Sequence, residues 1–370
     1  MISNALKEHI WQGFFSDKNV RFPDKPRLIK EISIYDAPYG LGVQFRGGPK
    51  KLVIRGKGAG KLFQALAEVM NGNNSLEDIF DLLDSEYDIN DISSMLKILH
   101  AHNLLIDADT SDVYQTTVNN VQLNYYNRIK GSTGFHPTGH DIHEAIHDCK
   151  ILLIGSENLI PAILTNLELI GFKNVGLCYQ KGEAYLKYNH YFSQEFLSEM
   201  DMTGHDENSI INQINLKIDD YQYVIIAFEN PNRHFLTALN DFCIAKDKPS
   251  VFFSLIENNF EIGPFVLPRG SACFTCSVLR KNSYNEDALF ENIYQDGLSS
   301  NNTLNDSQIK GVDLLATNIA AGVLVSEFSK IIASYSSPQL LNTIIEYDGL
   351  NGQFNTVEII RVPGCQSCSN

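Results

Sequence analysis

The hydrophobic pattern changes character along the chain. In the first 110 or so residues the apolar runs at 32–34, 41–46 and 51–55 are short and separated by Gly and Pro, the punctuation of a small antiparallel meander. Three helical stretches follow. The first carries Leu62, Phe63, Leu66, Ala67 and Met70 on one side and stops at Asn71 and Gly72. The second opens on Ser75, an N-cap with Asp78 three residues on, and its apolar side is Leu76, Ile79, Phe80 and Leu83. Asn90 or Asp91 caps the third, where Ile92, Met95, Leu96 and Leu99 recur at helical spacing. Leu104, Leu105 and Ile106 read as a closing strand.

Residues 109–148 are polar and contain Gly131, Gly134, Pro137 and Gly139, which predicts a connector with a short helix at its end. Beyond it, the run 149–154 is apolar almost throughout, as a strand buried on both faces must be, and a helix follows over 158–170. Strands at 174–179, 223–228 and 250–255 with a helix over 233–244 continue the alternation, which predicts a parallel, doubly wound α/β sheet. The stretch 282–309 is rich in Ser, Asn and Asp and reads as a crossover loop. A helix over 312–333 then leads to a hairpin at 342–347 and 354–362. The division expected is 1–110, a connector 111–135, and 136–370.

Composition narrows the function classes. Of the 370 residues, 29 are basic and 44 acidic, for a net charge of −15, and no basic stripe along the chain compensates. This argues against nucleic acid as a partner. The N-terminal MISNALKEHIWQGFF lacks a signal pattern, and the most apolar helical stretch is interrupted by Asp313, Asn318, Glu327 and Lys330. The expectation is a cytoplasmic protein away from membranes, with its seven cysteines reduced or ligating metal.

The strongest chemical signal is Cys273-Phe-Thr-Cys276 with Cys365-Gln-Ser-Cys368. Two-residue spacing lets both thiolates of a pair reach one ion, and two pairs complete a tetrahedral four-sulfur Zn2+ site. Four sulfurs leave no position for water, so this zinc is structural, tying the C-terminal tail to the sheet. Cys149, Cys178 and Cys243 lie in apolar elements and read as core packing.

Nucleotide binding is a separate question. The first sheet strand runs into Gly155-Ser156-Glu157-Asn158, where a nucleotide fold places glycines that let phosphate approach the backbone. Only Gly155 is present and Glu157 puts a negative side chain in the way, so the loop reads as degenerate and no catalytic residue is assigned. Glu183, Glu229 and Asp219 are the carboxylates that could serve ribose or magnesium. His140, His143 and His147, near His136, read as the wet side of an amphipathic helix buried through Ile142, Ala145 and Ile146.

Taken together, the Gly155 turn, the phrases YVIIAFENPNRHFLTALNDFCIAKDKPSVFFSL and IGPFVLPRGSACFTCSVLR, and the late RVPGCQSCS resemble the ThiF/MoeB-type fold of ubiquitin-activating-like enzymes over residues 136–370. The N-terminal strands and helices, with VIRGKGAGKLFQALAEVMNGNNSLEDIFDLLD, resemble a winged helix, the recognition element of peptide natural-product pathways. The combination is similar to the leader-peptide-binding, ThiF-like component of thiazole/oxazole-modified peptide biosynthesis. That resemblance implies a precursor peptide and a YcaO-type cyclodehydratase as partners, an oxidase as a further one, and a homodimer. It also implies that the leader adds as a strand on Lys51, Leu52, Val53, Ile54 and Arg55, beside a groove lined by Ile92, Met95, Leu96 and Leu99. The competing reading is an active ATP-dependent peptide-adenylating enzyme; a nicotinamide oxidoreductase fails on the same loop.

Overall fold

The computed structural model describes residues 22–107, 120–130, 138–179, 197–201, 207–300 and 311–369. They fall into two compact units, residues 1–144 with 333–336, and residues 145–332 with 337–370. Glu183, His136 and the glycines at 131 and 134 lie outside the described residues.

In the first unit, β1 (Pro26–Leu28) pairs antiparallel with β5 (Leu105–Asp107), and β2 (Ser33–Ala37), β3 (Gly42–Arg46) and β4 (Leu52–Arg55) form an antiparallel sheet in that order. Between β4 and β5 run α1 (Ala59–Val69), α2 (Leu76–Leu83) and α3 (Ile89–Ala101). Period-two alternation puts Val43 and Phe45 on the inner face of β3, and Phe45 meets Phe63 of α1 edge-on at 5.0 Å. Ser75 and Asp78 make the reciprocal capping box at the start of α2 that the sequence predicts. The start of α3 differs. Asp88 is its cap, accepting from the Asn90 N–H at 2.8 Å, so the helix begins two or three residues earlier than a cap at Asn90 or Asp91 would allow. Past β5, α4 (Asn120–Ile129) lies within the expected connector.

The helix α5 (Gly139–His147) follows. Its buried side is Ile142 and Ile146, but His143 is buried with them, because it sits next to Ile142 on an arc wide enough to include it. The expectation that all three histidines face water is corrected on that point.

The second unit is built on an eight-stranded sheet in the order β13-β12-β11-β10-β9-β6-β7-β8. The strands are β6 (Lys150–Gly155), β7 (Asn174–Tyr179), β8 (Leu197–Asp201), β9 (Tyr223–Glu229), β10 (Ser250–Ile256), β11 (Asn259–Val266), β12 (Thr343–Asp348) and β13 (Gln353–Glu358). Strands β6 to β10 are parallel, whereas β11, β12 and β13 add on antiparallel, so the sheet is mixed rather than wholly parallel.

The helices are α6 (Ile160–Ile170), α7 (Glu207–Asn215), α8 (Arg233–Ala245), α9 (Phe274–Tyr284), α10 (Ala288–Ser300) and α11 (Leu314–Ala333). Both faces of β6, β7, β9 and β10 are buried, which is why their sequences read as nearly continuous apolar runs. Leu152, Ile154, Val224 and Ile226 pack with Ile214, Leu236 and Leu239 of α7 and α8. On alternate positions, Tyr223 meets Phe328 of α11 at 5.7 Å, and Phe328 also meets Phe172. By length and composition α11 passes as a membrane span at mean hydropathy 1.3, but half of it is buried in this packing. The stretch expected as a crossover loop is helical through α10, with residues 301–310 outside the described set.

Candidate functional site

The four cysteines of the two CxxC pairs converge. Cys273 is the N-cap of α9 and Cys276 lies in its first turn, while Cys365 and Cys368 sit in the segment after β13. All four are buried, and their sulfurs lie within 4.8 Å of one another. Individual Sγ separations are 3.8 Å for Cys273–Cys276, 3.7 Å for Cys273–Cys365 and 3.4 Å for Cys276–Cys368. A tetrahedral ion held at a metal–sulfur distance of about 2.3 Å has edges of about 3.8 Å, so the donor set fits such an ion.

The surroundings hold that geometry. The backbone N–H of Val362 donates to Cys276 Sγ at 3.4 Å. Gly364, at φ 76°, makes the turn that brings Cys365 back toward α9. Burial raises the Cys273 and Cys368 thiols. Burial opposes the Cys365 thiolate too, but backbone hydrogen bonds from Cys368 and Ser367 prevail and bring its pKa below the usual thiol range.

Three further residues of this centre escaped the sequence reading. Thr275 Oγ1 and Ser367 Oγ, the inner residues of the two pairs, hydrogen-bond to each other at 2.7 Å and interlock the two knuckles. Fully buried Asn240 of α8 accepts from the Phe274 N–H at 3.1 Å and so fixes the start of α9. A polar residue among Leu236, Leu239 and Cys243 on the buried face of α8 was the available signal. By contrast, burial pushes Cys149, Cys178 and Cys243 each up to about 12, which keeps them protonated core side chains.

A second constellation lies at the carboxyl ends of β6 and β9, where the strand order reverses and open α/β sheets bind ligands. Gly155 is required here by strand packing: a Cβ would stand 2.3 Å from the Ala227 carbonyl oxygen. The N–H groups of Leu159 and Ile160 both donate to the Ser156 carbonyl, and Pro161 has none to offer. At the neighbouring start of α8, the Arg233 N–H donates to Gln295 Oε1 and the His234 N–H to Asn232 Oδ1, both at 2.9 Å. Thus the Leu159, Ile160, Arg233 and His234 amides beside this crevice are engaged within the protein.

The carboxylates of this crevice add to the effect. Ser156 Oγ accepts from the Glu229 N–H at 3.0 Å and Asn158 Nδ2 donates to Glu229 Oε2 at 3.1 Å. Glu157 Oε2 and Glu229 Oε1 are buried without a hydrogen-bond partner among the described residues. Asp219 precedes β9 in a 3-10 turn, at the opposite end of that strand from Glu229.

Burial pushes the Glu229 carboxyl above its usual range, and the Glu157 charge adds to the shift against the Asn158 hydrogen bond. The folded chain therefore holds this proton to higher pH than the unfolded chain does. The stability it contributes is complete below the unfolded value of 4.5 and is lost as pH rises through the folded value. Glu229→Gln is expected to raise the melting temperature at neutral pH and to flatten its decline from mildly acidic pH. Superimposable melting-temperature profiles for the two proteins would contradict it.

In the first unit, β4 is an edge strand of its sheet, with Leu52, Val53 and Ile54 half-buried and Lys51 and Arg55 exposed. Ile92, Met95, Leu96 and Leu99 are 0–4 % exposed and belong to the core of the unit. The expectation that these four line an open groove is corrected: their spacing marks the face of α3 turned to the interior.

Comparison with known proteins agrees with this architecture. Residues 193–368 match the ThiF family. Molybdopterin-synthase adenylyltransferase of Escherichia coli (strain K12) is 24% identical over 259 residues, covering 66% of this chain and 95% of the relative. The structure of E. coli MccB with AMPCPP and MccA superposes with a TM-score of 0.66 at 16% identity, over 93% of this chain and 99% of MccB. The heterocyclase TruD superposes with a TM-score of 0.60 at 12% identity, over 94% of this chain and 43% of TruD. At these identities the structural likeness is one of fold. With the mixed sheet and the converging cysteines beside it, the match over residues 193–368 is to a ThiF-family domain.

Proposed function

We propose that this protein binds the leader of a ribosomally made precursor peptide and presents it to a YcaO-type cyclodehydratase, without activating the peptide itself. The observation that carries this reading is the turn after β6, where the Leu159 and Ile160 amides are engaged and the Glu157 and Glu229 carboxylates would oppose the charge of a nucleotide triphosphate. The first unit, read as a winged-helix recognition element over about residues 1–110, supplies a strand edge at β4, unpaired among the described residues, for the leader. The likeness to MccB, solved with MccA, and to the heterocyclase TruD supports a peptide as the partner.

The four-cysteine centre holds Zn2+ in this reading. Four thiolates close its coordination sphere, so its part is to anchor the C-terminal segment to α9. A second reading, ATP-dependent adenylation of a peptide, is favoured by the adenylyltransferase relative and by the AMPCPP bound to MccB.

Reconstitution separates the two. With ATP, a precursor peptide and a YcaO-type cyclodehydratase, adding this chain is expected to accelerate loss of water per ring by mass spectrometry. Glu157→Ala should leave the acceleration unchanged. Heterocycle formation indifferent to this chain would refute presentation, and ATP-dependent pyrophosphate exchange by this chain alone would establish adenylation.

A further inference from the structure

Contrary to the expectation that no basic stripe runs along the chain, its net negative charge hides a local excess of the opposite sign. Arg46, Lys50, Lys51, Arg55, Lys57 and Lys61 occur with no Asp or Glu between them, in a chain whose net charge is −15. All six are exposed, and among the described residues none is ion-paired. They cluster on one edge. Phe45 and Leu52 are paired, so Arg46 and Lys51 continue side by side at one end of β4, while Arg55 closes the other end opposite Gly42. Lys57 and Lys61 follow in the turn and the first turn of α1. Between the cationic ends lie Leu52, Val53 and Ile54, half-buried.

The other edge of this sheet, β2, contains Asp36 and no cation, so the charge distinguishes one edge from the other. The exposed side of α3 carries Asn90, Asp91, Ser94, Lys97 and Ile98, so it does not extend the basic edge toward a groove-reading helix.

We propose that the β4 edge takes an acidic peptide in extended conformation. Its apolar residues lie along Leu52, Val53 and Ile54, and carboxylates stand at both ends of that segment, roughly 13 Å apart at 3.3 Å per residue. The inference rests on the peptide-binding reading above and adds the chemistry of the ligand.

The test is selection of a random dodecapeptide library displayed on phage against the full chain, followed by anisotropy titration of the winning labelled peptide. The expected consensus places Asp or Glu on both flanks of a short apolar segment. The triple variant Lys51→Glu, Arg55→Glu, Lys57→Glu should bind that peptide at least about tenfold more weakly while keeping the wild-type melting temperature. For the unmodified protein, raising salt from about 50 to about 500 mM should weaken binding, which needs no variant to fold.

No enrichment, a neutral or basic consensus, salt-independent binding, or stronger binding of duplex DNA than of the peptide would overturn the proposal. If the natural precursor binds equally to wild type and triple variant, the acidic-peptide inference fails and leader binding stands. If the acidic consensus binds and the precursor does not, leader binding fails and the edge site stands.

Discussion

Cys365→Ser is expected to abolish zinc binding and to destabilise the second unit by about 4 kcal/mol or more, the range reached when a structural metal is lost. The magnitude follows from what the centre connects. Cys365 lies within 3.7 Å of Cys273, and its segment reaches α9 through the Thr275–Ser367 hydrogen bond and the Val362 N–H on Cys276. A serine hydroxyl cannot serve as the fourth thiolate. Removing it leaves three buried sulfurs that must take up protons, and residues 359–369 lose their anchor. Metal content by plasma emission and the melting temperature read the two effects together. A variant with full zinc and an unchanged melting curve would show that the four sulfurs do not form one ligand set.

Leu96→Ala should cost about 2–5 kcal/mol, the usual range for opening a cavity in a packed core. Leu96 is 0 % exposed and shares its core with Ile79, Ile92 and Leu99, so little around it is free to collapse. The first unit should then unfold at lower temperature or denaturant than the second, as two transitions by circular dichroism and hydrogen exchange. An unchanged transition accompanied by weakened peptide binding would mean that this face of α3 opens to a ligand and is not core.

The groove expectation went astray for a physical reason. An amphipathic repeat shows that Ile92, Met95, Leu96 and Leu99 share one side of a helix, but core and binding groove demand the same apolar spacing. A small unit must bury most of such side chains to be stable. Where burial leaves no choice the sequence was easily read. The run at β7 is apolar after its first residue because both faces are covered, and its predicted bounds coincide with the strand Asn174–Tyr179.

Strand β11 is hard to see in the sequence because Gly263 and Pro264 stand in its middle, residues that ordinarily end a strand. Helix α10 was read as loop from its polar composition, although Gln295 is buried beneath the start of α8 and Arg233 pairs with Glu291 at 2.9 Å. Of the candidate sites, the convergence of the four cysteines was legible from their spacing. The engaged amides after β6 depend on hydrogen bonds that no spacing reveals.

The measurement that bears most directly on the central claim is isothermal titration of the full chain with magnesium–ATP and, separately, with the precursor peptide encoded beside it. A saturable heat for the peptide and none for ATP is the predicted result, because the Leu159 and Ile160 amides are committed to Ser156 and Glu157 stands in the crevice. Saturable ATP binding would contradict it, and would make the chain an adenylating enzyme in which Glu157 does not exclude phosphate.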